Sequence, residues 1–343
     1  MKAQVLNRIA PLSDNPAPLE LTGWPKPEPV AGEVLIRVSV CGVCHTELDE
    51  IEGRTPPSQL PMILGHQAVG QVVQVGDRID AGMVGSRVGV AWIHSACGSC
   101  SHCLAGDENL CAEFRATGRD HPGGYAEYLA APAAFVHPIP AQVEDVHAAP
   151  LLCAGAIGYR SLRLAGLVNG ATLGLTGFGA SAHLVLKMAR YLYPDSRMLV
   201  FARNPEERQF ALELGAVWAG DGGHPPPEPC AAIIDTTPVW TPVLQALRHL
   251  APGGRLVINA IRKEEADKSA WLDLSYPEQL WLEKEIKSVA NVTRRDIREF
   301  LALAAEIPLR PEVEEYPLEQ ANRALYELKH RRVRGAKVLR VAG

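Results

Sequence analysis

Nowhere do the 343 residues hold an apolar run long enough to cross a bilayer: LLCAGAIG and YLAAPAAFV are short and interrupted, whereas a spanning helix needs about 20 such residues. The opening MKAQVLNRIAPLSDNP lacks the apolar core of a signal peptide. Blocks of one charge are also missing. The formal charge of -5 comes from intermixed acids and bases, and the one dense basic stretch, HRRVRGAK, is short and reads as a solvated helix end. These absences leave no signal for DNA, RNA or a membrane as partner, and no internal repeat or low-complexity tract suggests a solenoid or a disordered array. A cytoplasmic, reducing setting is expected, in which eight cysteines point to metal ligation more than to disulfides.

The length exceeds what one core usually organises, so two domains are expected, and a hydrophobic content of 47% is ample for both cores. The first 150 residues read as irregular β structure, with short runs such as EVLIRVSV, QAVGQVVQVG and SRVGVAW between Gly and Pro punctuation. From about residue 165 the texture becomes strand and helix in alternation. ATLGLT leads into GFGA and then ASAHLVLKMARYL, which puts Ala182, Val185, Leu186, Ala189 and Leu192 on one helical face. RMLVFA follows, then a helix with Asn204 as N-cap, Pro205 in its first position and Glu207 placed for a capping box. AAIIDTT, a helix from VLQALRHL and RLVINA extend the pattern toward a doubly wound parallel sheet. After about residue 290 the texture changes again, and the tail is expected to rejoin the first domain.

The most specific signal is CGSCSHCLAGDENLC, with sulfurs at Cys97, Cys100, Cys103 and Cys111. Successive C-x-x-C steps let both sulfurs of a pair face one point while backbone N–H groups bond to them. Four thiolates fill a tetrahedron and leave no position for substrate, so the spacing predicts a structural zinc. Free surface thiols and an iron–sulfur cluster are the alternatives.

GFGASA sets Gly177, Phe178, Gly179, Ala180, Ser181 and Ala182 in a G-x-G-x-x-A turn between a strand and an amphipathic helix. Gly177 permits the tight turn, Gly179 lets a pyrophosphate approach the backbone, and Ala182 allows close packing under a positive helix N-terminus. A ligand-free glycine turn is the plain alternative. About twenty residues on, where an acid would bind the ribose of NAD, stands Ala202, followed by Arg203 and Asn204. Loss of the carboxylate removes repulsion of a 2′-phosphate and the arginine could pair with one, which favours NADP; an Arg203 pointing into solvent is the competing reading.

Taken together, GVCHT, a later GH, the four-cysteine lobe, LCAG and GFGASA resemble, in the expected order and over essentially the whole chain, a zinc-dependent medium-chain alcohol dehydrogenase. The resemblance implies a GroES-like irregular β catalytic domain at 1–154, carrying the structural zinc lobe 97–111. It further implies a Rossmann cofactor domain at 155–290 and a C-terminal part of the catalytic domain at 291–343. It implies two zincs per subunit, the catalytic one held by Cys44, His66 and Cys153. Two thiolates and one imidazole with an open fourth position make a neutral complex able to bind an alkoxide, whose hydride then passes to the nicotinamide. Cys41, the other half of the C-x-x-C, is then a strand-end thiol rather than a redox partner. By the same resemblance Thr46 receives the substrate proton, His45 contacts the cofactor pyrophosphate, Glu47 orients the histidine ligand and Trp92 lines the substrate pocket. It also suggests a homodimer or homotetramer acting on a small alcohol or aldehyde.

Three positions depart from the family pattern. Gln67 replaces the carboxylate of GHE, Asp49 stands where many members end the proton relay in histidine, and Ala202 lacks the acid that selects NAD. A polyol dehydrogenase of the same superfamily is the neighbouring alternative. A non-catalytic NAD(P)-binding protein is the alternative of a different class, and the intact Cys44, His66, Cys153 and Thr46 set weighs against it.

Overall fold

The structure, a computed structural model, describes residues 1–307, 309–330 and 335–341; residues 331–334 of the basic stretch lie outside them. The chain forms two compact units, Met1–Cys153 together with Val292–Gly343, and Ala154–Asn291.

In the first unit an eleven-residue strand, Glu33–Val43, is the spine of a seven-stranded sheet. Its β-branched and apolar residues fit a surface covered on both faces: Val34, Leu35, Ile36, Val38, Val40 and Cys41 are all buried. The strand pairs antiparallel with Ala68–Val75, and the register shifts twice, at Leu35/Ile36 and Val38/Val40. Such shifts bend a strand and raise its twist. The tail strand Ala336–Arg340 joins the same spine antiparallel, setting Lys337 against Val43 and Leu339 against Cys41. The core beneath combines Ile36, Met62, Leu64 and Tyr125 with Leu325 from the tail. Cys41 Sγ fills space within it: a Cβ added at Gly124 would come within 2.9 Å of that sulfur.

In the second unit six strands run parallel in the spatial order Trp218–Gly220, Met198–Phe201, Leu173–Thr176, Cys230–Asp235, Leu250–Ile258, Glu285–Ser288. The order runs outward in both directions from the first strand of the unit, the doubly wound arrangement with its switch point beside Leu173–Thr176. The helix Ala180–Leu192 buries Ala182, Val185, Leu186 and Ala189 as its periodicity predicts, but Leu192 is 38% exposed. Leu192 is the helix's last residue, and Leu184 and Met188 are buried in addition, because a second helix, Ala156–Ala165, packs on it. Gly158 permits that approach; a Cβ there would lie 2.8 Å from Val185 Cγ2. Asn204 does cap the next helix, with Pro205 in its first turn, but its Oδ1 accepts from Glu206 N–H at 3.0 Å and no reciprocal bond from Glu207 forms. A cap of this kind satisfies one orphan donor, not two.

Candidate metal and cofactor sites

The spine strand ends at Val43, and Cys44 turns the chain into the helix His45–Ile51. Cys44 is the N-cap: its sulfur accepts from Thr46 N–H at 3.3 Å, and Glu47 returns a bond to Cys44 N–H at 2.8 Å. This capping box holds the Cys44 sulfur at the helix N-terminus and fixes Glu47 beside it. His66 arrives on the turn before the strand Ala68–Val75, and Cys153 on a π-helical turn, Leu151–Gly155, at the end of the unit. Their ligand atoms lie within 4.8 Å of one another, and Cys44 Sγ is 3.7 Å from His66 Nε2. A tetrahedral zinc with bonds of ~2.3 Å to sulfur and ~2.0 Å to nitrogen needs S···N separations of ~3.6 Å, so the triangle is the right size for that ion.

The electrostatics also call for a cation. The Cys44 thiol is pushed well up by its hydrogen bond with Cys153, by burial and by the Cys153 charge. Burial acts to lower the His66 pKa, but Glu47 and Cys44 more than offset it and hold the ring well above its usual range. A Cys44 thiol that resists ionising beside a second cysteine, and an imidazole whose proton is held by its neighbours, are an arrangement that a dication resolves.

Around the three ligands stand the other residues read from the sequence. Glu47 is fully buried, with Oε1 2.6 Å from His66 Nδ1. Thr46 is 9% exposed, at the helix start, and His45 is exposed beside it. Asp49 is buried and ion-paired to Arg54 at 2.6 Å. Gln67 is buried, its amide lying over Gly42, where a Cβ would come within 2.5 Å of Oε1; its Nε2 has no partner. Trp92 is half-buried, stacked at a tilt on Phe114, with its indole N–H unbonded.

Glu50 escaped the sequence reading. It lies one turn after Glu47 on the same helix, is fully buried, and neither of its carboxylate oxygens has a hydrogen-bond partner. Burial raises its pKa well above the usual range and Glu47 adds to this, while His66, Trp92 and Arg119 pull the other way. An i, i+3 spacing from Glu47 was the available signal, since it puts both acids on one helical face.

The four-cysteine lobe closes as its spacing predicts. The sulfurs of Cys97, Cys100, Cys103 and Cys111 lie within 4.8 Å of one another, and Cys97 and Cys103 are 3.9 Å apart, close to the ~3.8 Å of a tetrahedral zinc thiolate pair. Backbone N–H groups of Cys100 and Glu113 donate to Cys97 and Cys111 sulfurs, both at 3.3 Å. Backbone N–H bonds from Ser99 and Cys100 lower the Cys97 thiol to about 6, whereas burial and the neighbouring sulfurs raise Cys103 to about 12. One thiolate forms readily and the last resists, so all four together require a bound cation.

In the second unit Gly177 takes φ +77°, and a Cβ there would press on Thr236 and Thr237 at 3.0 Å. Gly179 caps the helix Ala180–Leu192 without any side-chain bond, and no atom lies within 4 Å of a Cβ built on it. Phe178 is buried against Phe210, Ala182 is fully buried, and Ser181 Oγ donates to Ala154 O at 3.1 Å. Open space over uncapped N–H groups is what a pyrophosphate needs. Ala202 follows the strand Met198–Phe201, and Arg203 is exposed at its end. Arg208, which the sequence reading missed, reaches back to the same turn: Nη1 donates to Ala202 O at 2.8 Å and Arg203 O at 2.9 Å. Among the described residues no helix is long and apolar enough to cross a membrane.

Residues 30–141 match the alcohol dehydrogenase GroES-like domain family, which identifies the irregular β unit. A probable alcohol dehydrogenase, AdhA, of Mycobacterium tuberculosis (strain CDC 1551 / Oshkosh) is 42% identical over 99% of this chain and 97% of its own. An alcohol dehydrogenase of Geobacillus stearothermophilus is 32% identical over 99% of each chain. A cobalt- and zinc-bound thermostable alcohol dehydrogenase from Pyrobaculum aerophilum covers 99% of each chain with a TM-score of 0.84; at 22% identity that likeness concerns the fold alone.

Proposed function

The chain belongs to the zinc-dependent medium-chain alcohol dehydrogenases, NAD(P)-dependent oxidoreductases, and on that premise we propose that Cys44, His66 and Cys153 hold the zinc at which the alcohol is oxidised or the aldehyde reduced. The observation that carries the proposal is the convergence of three ligand atoms within 4.8 Å from three separate segments of one unit. A zinc ion there supplies Lewis acidity that makes a hydroxyl acidic near neutral pH, and the nicotinamide supplies the hydride acceptor.

The protein's own groups do the rest. Glu47 accepts from His66 Nδ1–H and thereby leaves Nε2 as the ligand atom. Thr46, held at the first turn of the Cys44-capped helix, receives the substrate proton at its hydroxyl. Asp49, on the same helix and ion-paired to Arg54, serves as a polar station beyond Thr46. Glu50, buried one turn after Glu47, supplies an acidic side chain to this site where Gln67 supplies an amide. The lobe cysteines Cys97, Cys100, Cys103 and Cys111 hold a second, structural zinc. NADP is the preferred cofactor, its pyrophosphate on the Gly177–Ser181 turn and its 2′-phosphate beside Arg203 and Arg208.

Replacing Cys44 by Ser tests the assignment. Alcohol oxidation should fall by at least about a hundredfold, while cofactor affinity, read from NADPH fluorescence, stays within about twofold. Turnover retained in that variant would refute the ligand set.

A further inference from the structure

We propose that the cleft between the four-cysteine lobe and the helix Arg294–Glu306 binds a small organic phosphate, gripped by Arg295, Arg298 and His137. The cleft lies wholly within the first unit and holds about 620 Å³, within the ~300–1,000 Å³ range of small-molecule sites. Arg294, Arg295 and Arg298 line it at i, i+1 and i+4, so their side chains crowd one side of the helix.

Their charges are not equally available. Arg294 is spent: its backbone N–H and Nε both donate to Glu108 Oε1, at 3.0 and 2.9 Å, and its guanidinium lies 4.7 Å over the Phe135 ring. Arg295 shares Glu299 at 2.6 Å and is largely exposed. Arg298 has no hydrogen bond or ion pair among the described residues. The helix N-terminus itself is not the attraction. Thr293, Asp296 and Glu108 already satisfy its first donors, so an anion would be held by side chains.

His137 supplies the independent observation. It lines the cleft and is 5% exposed, yet its Nε2 is buried with no partner. Burial, with Arg298 and Arg294 acting in the same direction and Glu108 opposing, lowers its pKa to about 4. The ring is therefore neutral; Glu108, the one carboxylate lining the cleft, is taken up by Arg294 and offsets the arginines only in part, so the field at the ring stays positive. A buried nitrogen left unbonded is costly, and an acceptor oxygen placed against an Nε2–H tautomer would recover that cost. Two guanidinium groups and an imidazole approach from two elements and present more donors than one carboxylate can accept, which favours the three terminal oxygens of a phosphate monoester. Val136, Pro138, Pro140 and Leu301 provide an apolar wall for its carbon skeleton. None of this depends on the zinc or on the cofactor turn.

The test is titration calorimetry on zinc-loaded protein saturated with NADPH, so that the cofactor's own phosphate positions are filled. Phenyl phosphate is the probe, with inorganic phosphate and benzoate as comparison arms. The expected result is one saturable phenyl phosphate site per chain, tighter than either comparison ligand. Arg298→Ala and His137→Leu should each weaken it by about tenfold or more while alcohol oxidation and zinc content stay unchanged. No saturable binding with the cofactor site filled, or undiminished binding in Arg298→Ala, would overturn the proposal. Benzoate binding tighter than phenyl phosphate would overturn the assignment of the ligand as a phosphate.

Discussion

Glu47 Oε1 stands 2.6 Å from His66 Nδ1, with both side chains sealed from solvent. A carboxylate bonded to the outer nitrogen of a ligating imidazole fixes both the ring's tautomer and its orientation. Glu47 also closes the capping box on Cys44, so one side chain aligns two of the three ligands. Glu47→Gln should therefore weaken zinc binding by about 10- to 100-fold, measured by competition with a chromophoric chelator. Affinity within a factor of two of the parent would show that the Glu47 charge does not position the ligands.

Thr46 carries the proton step in this account and ligates nothing. Thr46→Val should lower kcat by about 10²- to 10⁴-fold with zinc content and NADPH affinity unchanged, and Thr46→Ser should retain most activity. Equal losses in Val and Ser variants would point to packing rather than proton transfer.

Glu50 makes a pH prediction. Its folded-state pKa is raised by burial and by Glu47, so the buried acid binds a proton more tightly folded than unfolded. Its effect on stability is then neutral in acid and grows unfavourable as pH rises above about 4.3, its unfolded value. With the exchangeable zinc removed, Glu50→Gln should unfold at a higher temperature than the parent near pH 8, by about 1–3 kcal/mol of stability, and the gap should narrow toward pH 5. Reloading zinc should shrink the gap as well, because the dication offsets the buried charge. A gap that is constant with pH would contradict this reading.

At the end of the strand Met198–Phe201, Arg203 and Arg208 share one turn. Arg203→Ala should cut kcat/KM for NADP by about tenfold or more and leave kcat/KM for NAD nearly unchanged. Arg208→Ala should act in the same direction and also loosen the turn, since its guanidinium bonds two carbonyls there. A parent enzyme that prefers NAD strongly would refute the assignment of this corner to a 2′-phosphate.

How far the letters alone reached depended on how local each feature is. The lobe cysteines, the glycine turn and the Cys44–Glu47 stretch are short-range patterns, and the structure keeps each of them together. The parallel sheet was legible because strand and helix periods alternate over more than a hundred residues. Leu192 shares the helical face of the buried residues yet stays exposed, because a periodic face says nothing about where cover by neighbouring elements ends. Glu207 was misread because a capping box needs a side-chain rotamer, not only a spacing. Glu50 and Arg208 were missed for one reason: each acts through a neighbour set by folding, a buried helical face in one case and two backbone carbonyls in the other. Cys153 in an apolar run carried no signal alone; only the family pattern, and then its place beside Cys44, gave it one.

The central claim is that this chain holds two zinc ions in separate sites with separate ligands. Zinc analysis of freshly purified, unchelated protein tests it most directly, run in parallel on the parent and on Cys44→Ala. Two zincs per chain in the parent and one in the variant, with the variant still folded, is the predicted result. Two zincs retained in Cys44→Ala, or fewer than two in the parent, would contradict it.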